Sequence, residues 1–375
     1  MTTLDDFTAS FAVEPGYLDW AAFGPLSPVV RAEARADLEL LGSGRESGIG
    51  LVAGRVREAR SLLGRVFDVE PSEVVLQPTA THGLAQAIYG VVGGVVASAA
   101  EFPGIPVTVT RAAAALGRIV PQWIAPEHRF VTPEAVAETI DETTSAVAVS
   151  LVDFRTGYRA DLAGIREAIG DDRLLIVDAT QAVGVIAEDY SRADVVVGHA
   201  YKWLRAGRGT GFAWYGNRAR IALDPVLSGI TGADTDDLPF DVVPPPAPAA
   251  RAFTVSRPDP LAAARLASAL GEVVSVGVGE IERAVAERAS RVIEIADAHG
   301  IDVLTPHDPE RRAGIVALAP DAPNVGVLGA ALANAGVAAT TRSDLVRISA
   351  HAGTDDETLR MLDEACATFV QMRVR

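Results

Sequence analysis

Apolar residues along this chain fall into two patterns. Short runs such as Leu174 to Val177, Asp194 to Val197 and Ser145 to Val152 have the length and β-branched content of buried strands. Glu73 to Gln77, Val95 to Ala99, Gly314 to Ala319 and Val337 to Ile348 add further strand signals. Between them, Pro28 to Leu41, Val52 to Phe67, Leu84 to Val91, Ala160 to Gly170, Leu261 to Val276, Ile281 to His299 and Val327 to Ala335 carry apolar residues at helical spacing. Strands alternating with helices predict an α/β fold: a large unit with a mainly parallel sheet, then a small α+β unit. We place the large unit at 15–250 and the small one at 251–375, with residues 1–14 packing on the latter.

Two stretches qualify this picture. Leu84 to Ala100 is the longest apolar-looking run, but Gln86 and the Gly93-Gly94 pair divide it into a helix, a turn and a buried strand rather than a membrane span. Thr231 to Pro248 is rich in Asp and Pro and includes three consecutive prolines, so it holds neither a long helix nor an inner strand. It reads as a long surface connection near the domain boundary, placed to cover a site.

Composition narrows the partners. With 375 residues and 49% hydrophobic content there is enough chain for two cores, and a net charge of −16 opposes nucleic acid and anionic membranes. The acidic N-terminus lacks a basic-then-apolar signal pattern, which predicts a cytoplasmic location. One cysteine, Cys366, forms no intramolecular disulfide, and its helical setting predicts a buried small hydrophobe. The six histidines show no metal-site spacing.

The chemistry concentrates between Leu174 and Tyr215. One strand ends in Asp178, with Gln181 three residues on; the next ends in Gly198-His199-Ala200-Tyr201-Lys202-Trp203. Ligands of open α/β sheets bind beyond the carboxyl ends of the strands, so this acid and this amine can face one ligand. Upstream, Pro78-Thr79-Ala80-Thr81-His82-Gly83 joins a strand to a helix start, whose free N–H groups and dipole suit a phosphate, although the Walker pattern is missing. Thr79 or Thr81 also serves as a helix cap, and the two roles are compatible.

Asp-Ala-Thr-Gln, His-Ala-Tyr-Lys-Trp-Leu and the glycine-rich run Gly207 to Gly211, in that order, resemble the cofactor core of the fold-type I, pyridoxal-phosphate-dependent class V aminotransferases. That family includes cysteine desulfurases, kynureninases and isopenicillin-epimerase-like enzymes. The resemblance implies that Lys202 carries the cofactor as a Schiff base, Asp178 holds its ring nitrogen protonated and Gln181 bonds its phenolic oxygen. It further implies that Ala80, Thr81, His199 and Tyr201 bind the phosphate, and that Phe102, following Glu101, stacks on the ring. Tyr17 to Leu26 resembles the segment lining the substrate side, with Phe23 as a candidate; its plain reading is a short strand and a turn at Gly24-Pro25. Arg347, in Arg-Ile-Ser, is the candidate for the substrate carboxylate, because a planar guanidinium binds a carboxylate bidentately.

Asp153-Phe154-Arg155-Thr156-Gly157 is similar to a kynureninase segment, which makes Arg155 a second substrate candidate. Asp153 departs from the usual asparagine, and this acid either repels a substrate carboxylate or pairs with Arg155. Ser256-Arg257 stands where the family has Gly-Thr-Pro, whose threonine reaches the neighbouring subunit's phosphate; either residue takes that contact or it is lost. Ala333 to Ser343, where persulfide-forming desulfurases carry a cysteine, has none. The expectation is a homodimeric enzyme acting at the α-carbon of an amino acid, an aminotransferase or lyase. The alternatives are a PLP-binding paralogue without turnover and, more distantly, a nucleotide-binding α/β protein.

Overall fold

A computed structural model describes residues 2–235 and 241–373. In chain order the first elements are α1 (Leu4–Ala9), α2 (Pro28–Gly42), α3 (Glu46–Phe67), β1 (Val74–Gln77), α4 (Ala80–Tyr89), β2 (Gly93–Ala97), α5 (Gly104–Leu116) and β3 (Ile119–Trp123). Next come α6 (Pro133–Thr139), β4 (Thr144–Ser150), α7 (Leu162–Ile169), β5 (Leu174–Asp178), β6 (Val195–His199), β7 (Gly211–Tyr215) and α8 (Asn217–Ala222). The C-terminal third holds α9 (Pro260–Val276), α10 (Val278–Ala298), β8 (Ile315–Leu318), α11 (Val325–Asn334), β9 (Thr340–Thr341), β10 (Val346–Ser349) and α12 (Asp356–Met372).

Seven strands form one sheet in the order β1-β7-β6-β5-β4-β2-β3. The inner run is parallel, while β7 is antiparallel to both β6 and β1. Successive residues of β5 point to opposite faces: Leu175 and Val177 enter a core shared with Leu63 and Phe67 of α3, whereas Leu174 and Ile176 enter one shared with Leu84 and Ile88 of α4. Burial on both faces explains why these strands read as unbroken apolar runs. A three-stranded antiparallel sheet, β8-β10-β9, supports a separate core with α10, α11 and α12. The expected α/β fold with a small second sheet is therefore present.

Several boundaries move. Helix α4 begins at Ala80, because Thr79 caps it by accepting the His82 N–H, so Ala80 and Thr81 sit in its first turn. The strand expected over Val337 to Ile348 is two short strands, the Arg342 N–H closing a turn on the Leu345 carbonyl. Helix α9 buries Ala263, Leu266, Leu270 and Val273 in the core that holds α3, so by packing it belongs with the large sheet despite lying beyond residue 250. The chain turns by 86° between α9 and α10, at Gly277 with φ +94. The N-terminal segment likewise puts Phe7 into the core of the large sheet rather than that of the small one.

Among the described residues no single helix is long and apolar enough to cross a membrane. Residues 80–97 form the expected helix, turn and buried strand. Of the proline-rich connection, 236–240 lies outside the described residues, and none of its described residues lines the cleft described next.

Candidate functional site

Parallel strands bring their carboxyl ends to one edge of the sheet, and a cleft of about 210 Å³ opens there. Register sets its floor. Asp178 closes β5 opposite Val197, and His199 closes β6 two residues further on. The chain then turns to present Lys202, which is 6% exposed. The turn is held from outside by Gly24, whose N–H donates to the Tyr201 carbonyl at 2.9 Å. A Cβ on Gly24 would lie 1.9 Å from the Lys202 carbonyl oxygen, so only glycine permits this approach.

Lys202 and Asp178 share the cleft without an ion pair between them. The Lys202 Nζ makes no hydrogen bond among the described residues and instead lies 5.6 Å from the Phe102 ring centre and 5.5 Å from that of Tyr201. Burial pushes its pKa down to about 8; Asp178 works against that shift, while Arg347 and Arg208 add to it. Asp178 is pushed up by burial, against the Thr180 N–H that donates to its Oδ1 at 2.9 Å. His199 is held down to about 4 by burial and by the positive charges of Lys202 and Arg208, which keeps its imidazole neutral. Its Nε2 is buried without a partner, as is the Thr180 hydroxyl.

The other cleft positions are fixed from behind. Gln181 accepts from the Trp203 indole at 2.7 Å and donates to the Ala21 carbonyl at 3.1 Å, which leaves one amide hydrogen to offer. Phe102 is 40% exposed and meets Phe154 edge-on at 5.4 Å, leaving a face open to the cleft. Ala80 and Thr81 contribute the first turn of α4, whose N–H groups have no acceptor within the helix. Asp178, Gln181, His199, Tyr201, Lys202, Phe102, Ala80 and Thr81 are thus gathered into one cleft.

The candidate substrate residues are placed differently. Arg347 is 3% exposed, and its guanidinium is engaged by Asp19, by the Thr340 hydroxyl at 3.2 Å and by the Phe154 carbonyl at 2.9 Å. Arg155 turns outward to an ion pair with Asp344. Asp153 takes the Arg155 N–H and the Thr156 hydroxyl, so it organises its own turn instead of pairing with the Arg155 guanidinium. Phe23 lies beside the Gly24 approach, and its carbonyl accepts from the Tyr17 hydroxyl at 2.7 Å. None of Arg347, Arg155 and Phe23 is on the cleft wall. Ser256 and Arg257 line a different cavity, with His82 and Leu266.

Two residues gain importance that the sequence did not reveal. Arg208 lines the cleft and stacks over the Tyr201 ring at 4.5 Å. Its place between two glycines was the available signal. Glu101 is half-buried, accepts the Ser150 N–H at 3.0 Å and has its carboxyl raised to about 7 by desolvation. In the sequence its one signal is its place before Phe102.

Residues 17–361 match the family model described as "Aminotransferase class-V". The chain belongs to this family. Among curated class-V relatives it resembles the kynureninase of Deinococcus radiodurans, 29% identical over 191 residues that cover 48% of this chain and 46% of that protein. Kynureninases of Burkholderia mallei strains match at 29% over 104 residues, 27% of this chain and 25% of theirs. The matched segment spans less than half the length of these relatives. Among solved structures, the apo cysteine desulfurase from Thermococcus onnurineus NA1 superposes with TM-score 0.87 at 17% identity, covering 100% of this chain and 99% of that one. The cystine C–S lyase C-DES, in complex with its product cysteine persulfide, gives 0.84 at 20%, covering 96% and 98%. At such identities the likeness is one of fold. Another C-DES structure has glycine covalently linked to its PLP cofactor.

Proposed function

We propose that this chain carries pyridoxal phosphate on Lys202 and acts at the α-carbon of an amino acid, as an aminotransferase or a lyase. The observation that carries this reading is the buried, unpaired Lys202 amine held near pKa 8 in one cleft with Asp178. The buried orphans fit the group: His199 Nε2 and Thr180 Oγ1 need partners, and the first turn of α4 supplies donors for a phosphate. The cofactor, when bound, supplies an electron sink through its protonated ring nitrogen. Asp178, desolvated and without a cation in contact, is suited to hold that charge. Lys202, part of it neutral at pH 7, is able to bond to an aldehyde and, once free, to take and return a proton at the substrate α-carbon. Phe102 offers a ring face against which a flat heterocycle stacks.

Persulfide chemistry of the desulfurase kind does not suit this chain. Its single thiol, Cys366, is fully buried in α12 and raised to about 12 by burial, so it is neither ionised nor in the cleft. A cytoplasmic homodimer, with no nucleic-acid or membrane partner, completes the reading. Its support is the family and the acidic charge.

The test is reconstitution with pyridoxal phosphate, borohydride reduction and peptide mapping, then a panel of amino acids with products identified by mass spectrometry. A cofactor fixed at Lys202 and a keto acid, pyruvate or alanine as product is the expected result. A protein with no reducible adduct overturns the reading. The second reading, a PLP-binding paralogue without turnover, is favoured by one observation: both candidate substrate arginines are occupied by acids, Arg347 by Asp19 and Arg155 by Asp344. A fixed cofactor with no product from any amino acid decides for it.

A further inference from the structure

The cleft contains a cation with no acid in ion-pair contact among the described residues. Arg208 forms no salt bridge among the described residues, in a chain whose formal charge is −16. Its neighbours in the cleft are the Tyr201 ring at 4.5 Å, the His199 imidazole with its orphaned Nε2, and the Thr79 to Thr81 turn that opens α4. Two positive charges, Lys202 and Arg208, therefore act together on His199. Arg208 is solvent-exposed where it lines the cleft, so an arriving anion meets a charge that no carboxylate contact already neutralises.

The loop is built to hold this side chain in place. Arg208 lies between Gly207 at φ +77 and Gly209 at φ +86, left-handed conformations that let the chain turn sharply on both sides of it. Arg265 of α9 grips the loop from behind, its Nη2 donating to the Arg208 carbonyl at 2.7 Å and its Nε to the Ala206 carbonyl at 3.1 Å. The Thr210 hydroxyl closes on the Gly207 carbonyl at 2.6 Å. The guanidinium carbon lies over the Tyr201 ring, 4.5 Å from its centre, a cation–π contact on the cleft wall.

We infer that Arg208 binds the phosphate of the cofactor, closing from the loop side an anion site whose other wall is the Thr79 to Thr81 turn and His199. The inference rests on the proposed function and deepens it. Ser256 and Arg257 line a different cavity of this chain, so the positive charge at this site comes from the chain that holds Lys202.

The experiment titrates the full-length apo chain, as wild type, Arg208→Ala and Arg208→Lys, with pyridoxal phosphate and with pyridoxal, which lacks the phosphate. Cofactor binding is followed by tryptophan fluorescence. Arg208→Ala is expected to weaken pyridoxal phosphate binding by about tenfold or more and to leave pyridoxal unchanged, and Arg208→Lys to restore part of the loss. In the wild type, inorganic phosphate is expected to compete with pyridoxal phosphate, and in Arg208→Ala to compete less. Equal weakening for both ligands means general damage to the loop and overturns the inference. So does unchanged pyridoxal phosphate affinity with a raised KM for the amino acid, which would make Arg208 a substrate contact. These two outcomes leave the proposed function standing. A wild-type chain that takes up neither ligand overturns both.

Discussion

Lys202 and Arg205 are buried cations three residues apart on one loop, and the structure treats them in opposite ways. Arg205, in the left-handed region at φ 56, is 2% exposed and fully engaged. Glu272 lies 3.5 Å away, Ser10 accepts through its hydroxyl at 3.0 Å, and the Phe11 ring sits 3.9 Å from the guanidinium carbon. Lys202 has aromatic faces, an acid outside ion-pair distance and no hydrogen bond among the described residues. A buried charge that serves the fold is matched where it stands. One left unmatched, with its pKa pulled toward neutrality, is kept available for a reaction.

That contrast is sharpest when each cation is removed. Lys202→Ala is expected to lower turnover by roughly 10³-fold or more and to abolish borohydride-fixed cofactor, measured by steady-state kinetics and intact mass. In the apo chain, Lys202→Met is expected to raise stability at pH 7 by about 1–3 kcal/mol in a urea melt, because it removes a desolvated charge. The sign follows from a pKa lowered to about 8. The penalty is full below that pH and is lost as pH rises from about 8 to the ordinary lysine value of 10.5, the interval in which only the unfolded chain keeps the proton. Arg205→Ala is expected to do the reverse, costing about 3–5 kcal/mol because Glu272 is left buried and unpaired, together with a ring pair that had packed on the guanidinium. Stabilisation by Arg205→Ala would break the comparison.

The same two residues mark how far the sequence was legible. Lys202 could be found because it follows a strand end in an ordered set of chemical residue types, and the strands themselves were plain because burial on both faces leaves unbroken apolar runs. Arg205 gave no such signal: its partners come from residues 10, 11 and 272, and long-range pairing leaves no periodic trace. Arg347 was legible as a residue but its surroundings were not, since nothing local shows that Asp19 and Thr340 fold over it. Strand β7 was missed because Gly211 to Tyr215 is heavy in aromatic residues next to a glycine run, and its antiparallel pairing with β6 and β1 is a matter of topology. Helix α9 read correctly as a helix, but which core its apolar face joins is decided by α2 and α3, two hundred residues earlier in the chain by order of magnitude.

Two histidines repeat the contrast with a smaller effect. His351 is 0% exposed and fully satisfied: its Nδ1 accepts the Ala352 N–H at 2.7 Å, which places the proton on Nε2 for the Trp203 carbonyl at 2.9 Å. A second proton would break the Ala352 bond, and burial with the nearby Arg205 charge holds its pKa down to about 3. Between the ordinary value of 6.5 and about 3, the unfolded chain binds a proton that the folded chain refuses. Stability therefore falls as pH drops through that window, by up to about 1.4 kcal/mol per pH unit for this group. His351→Gln is expected to flatten the acid limb of a stability-versus-pH curve by about that slope. His199→Gln flattens it over the shorter range down to about 4, and it also weakens cofactor binding, because His199 carries the orphaned Nε2 and His351 does not.

The smallest expected effect concerns Cys366, which tests whether the separation between fold residues and cleft residues extends to the only thiol. It packs among the buried apolar residues of α12 and the small sheet, such as Leu362, Phe369 and Ile348. Replacing it by alanine removes one sulfur from a filled core, which is expected to cost about 1 kcal/mol in a denaturant melt. Turnover with every accepted amino acid, and cofactor loading, should be unchanged. A thiol raised to about 12 has almost no thiolate at neutral pH, so treatment with iodoacetamide should leave the native chain unmodified until it is unfolded. Loss of activity in Cys366→Ala beyond its loss of folded protein would place a sulfur in the chemistry and return the desulfurase reaction to consideration, and with it the rule that unmatched groups belong to the cleft and matched or buried apolar ones to the fold would fail at its simplest case.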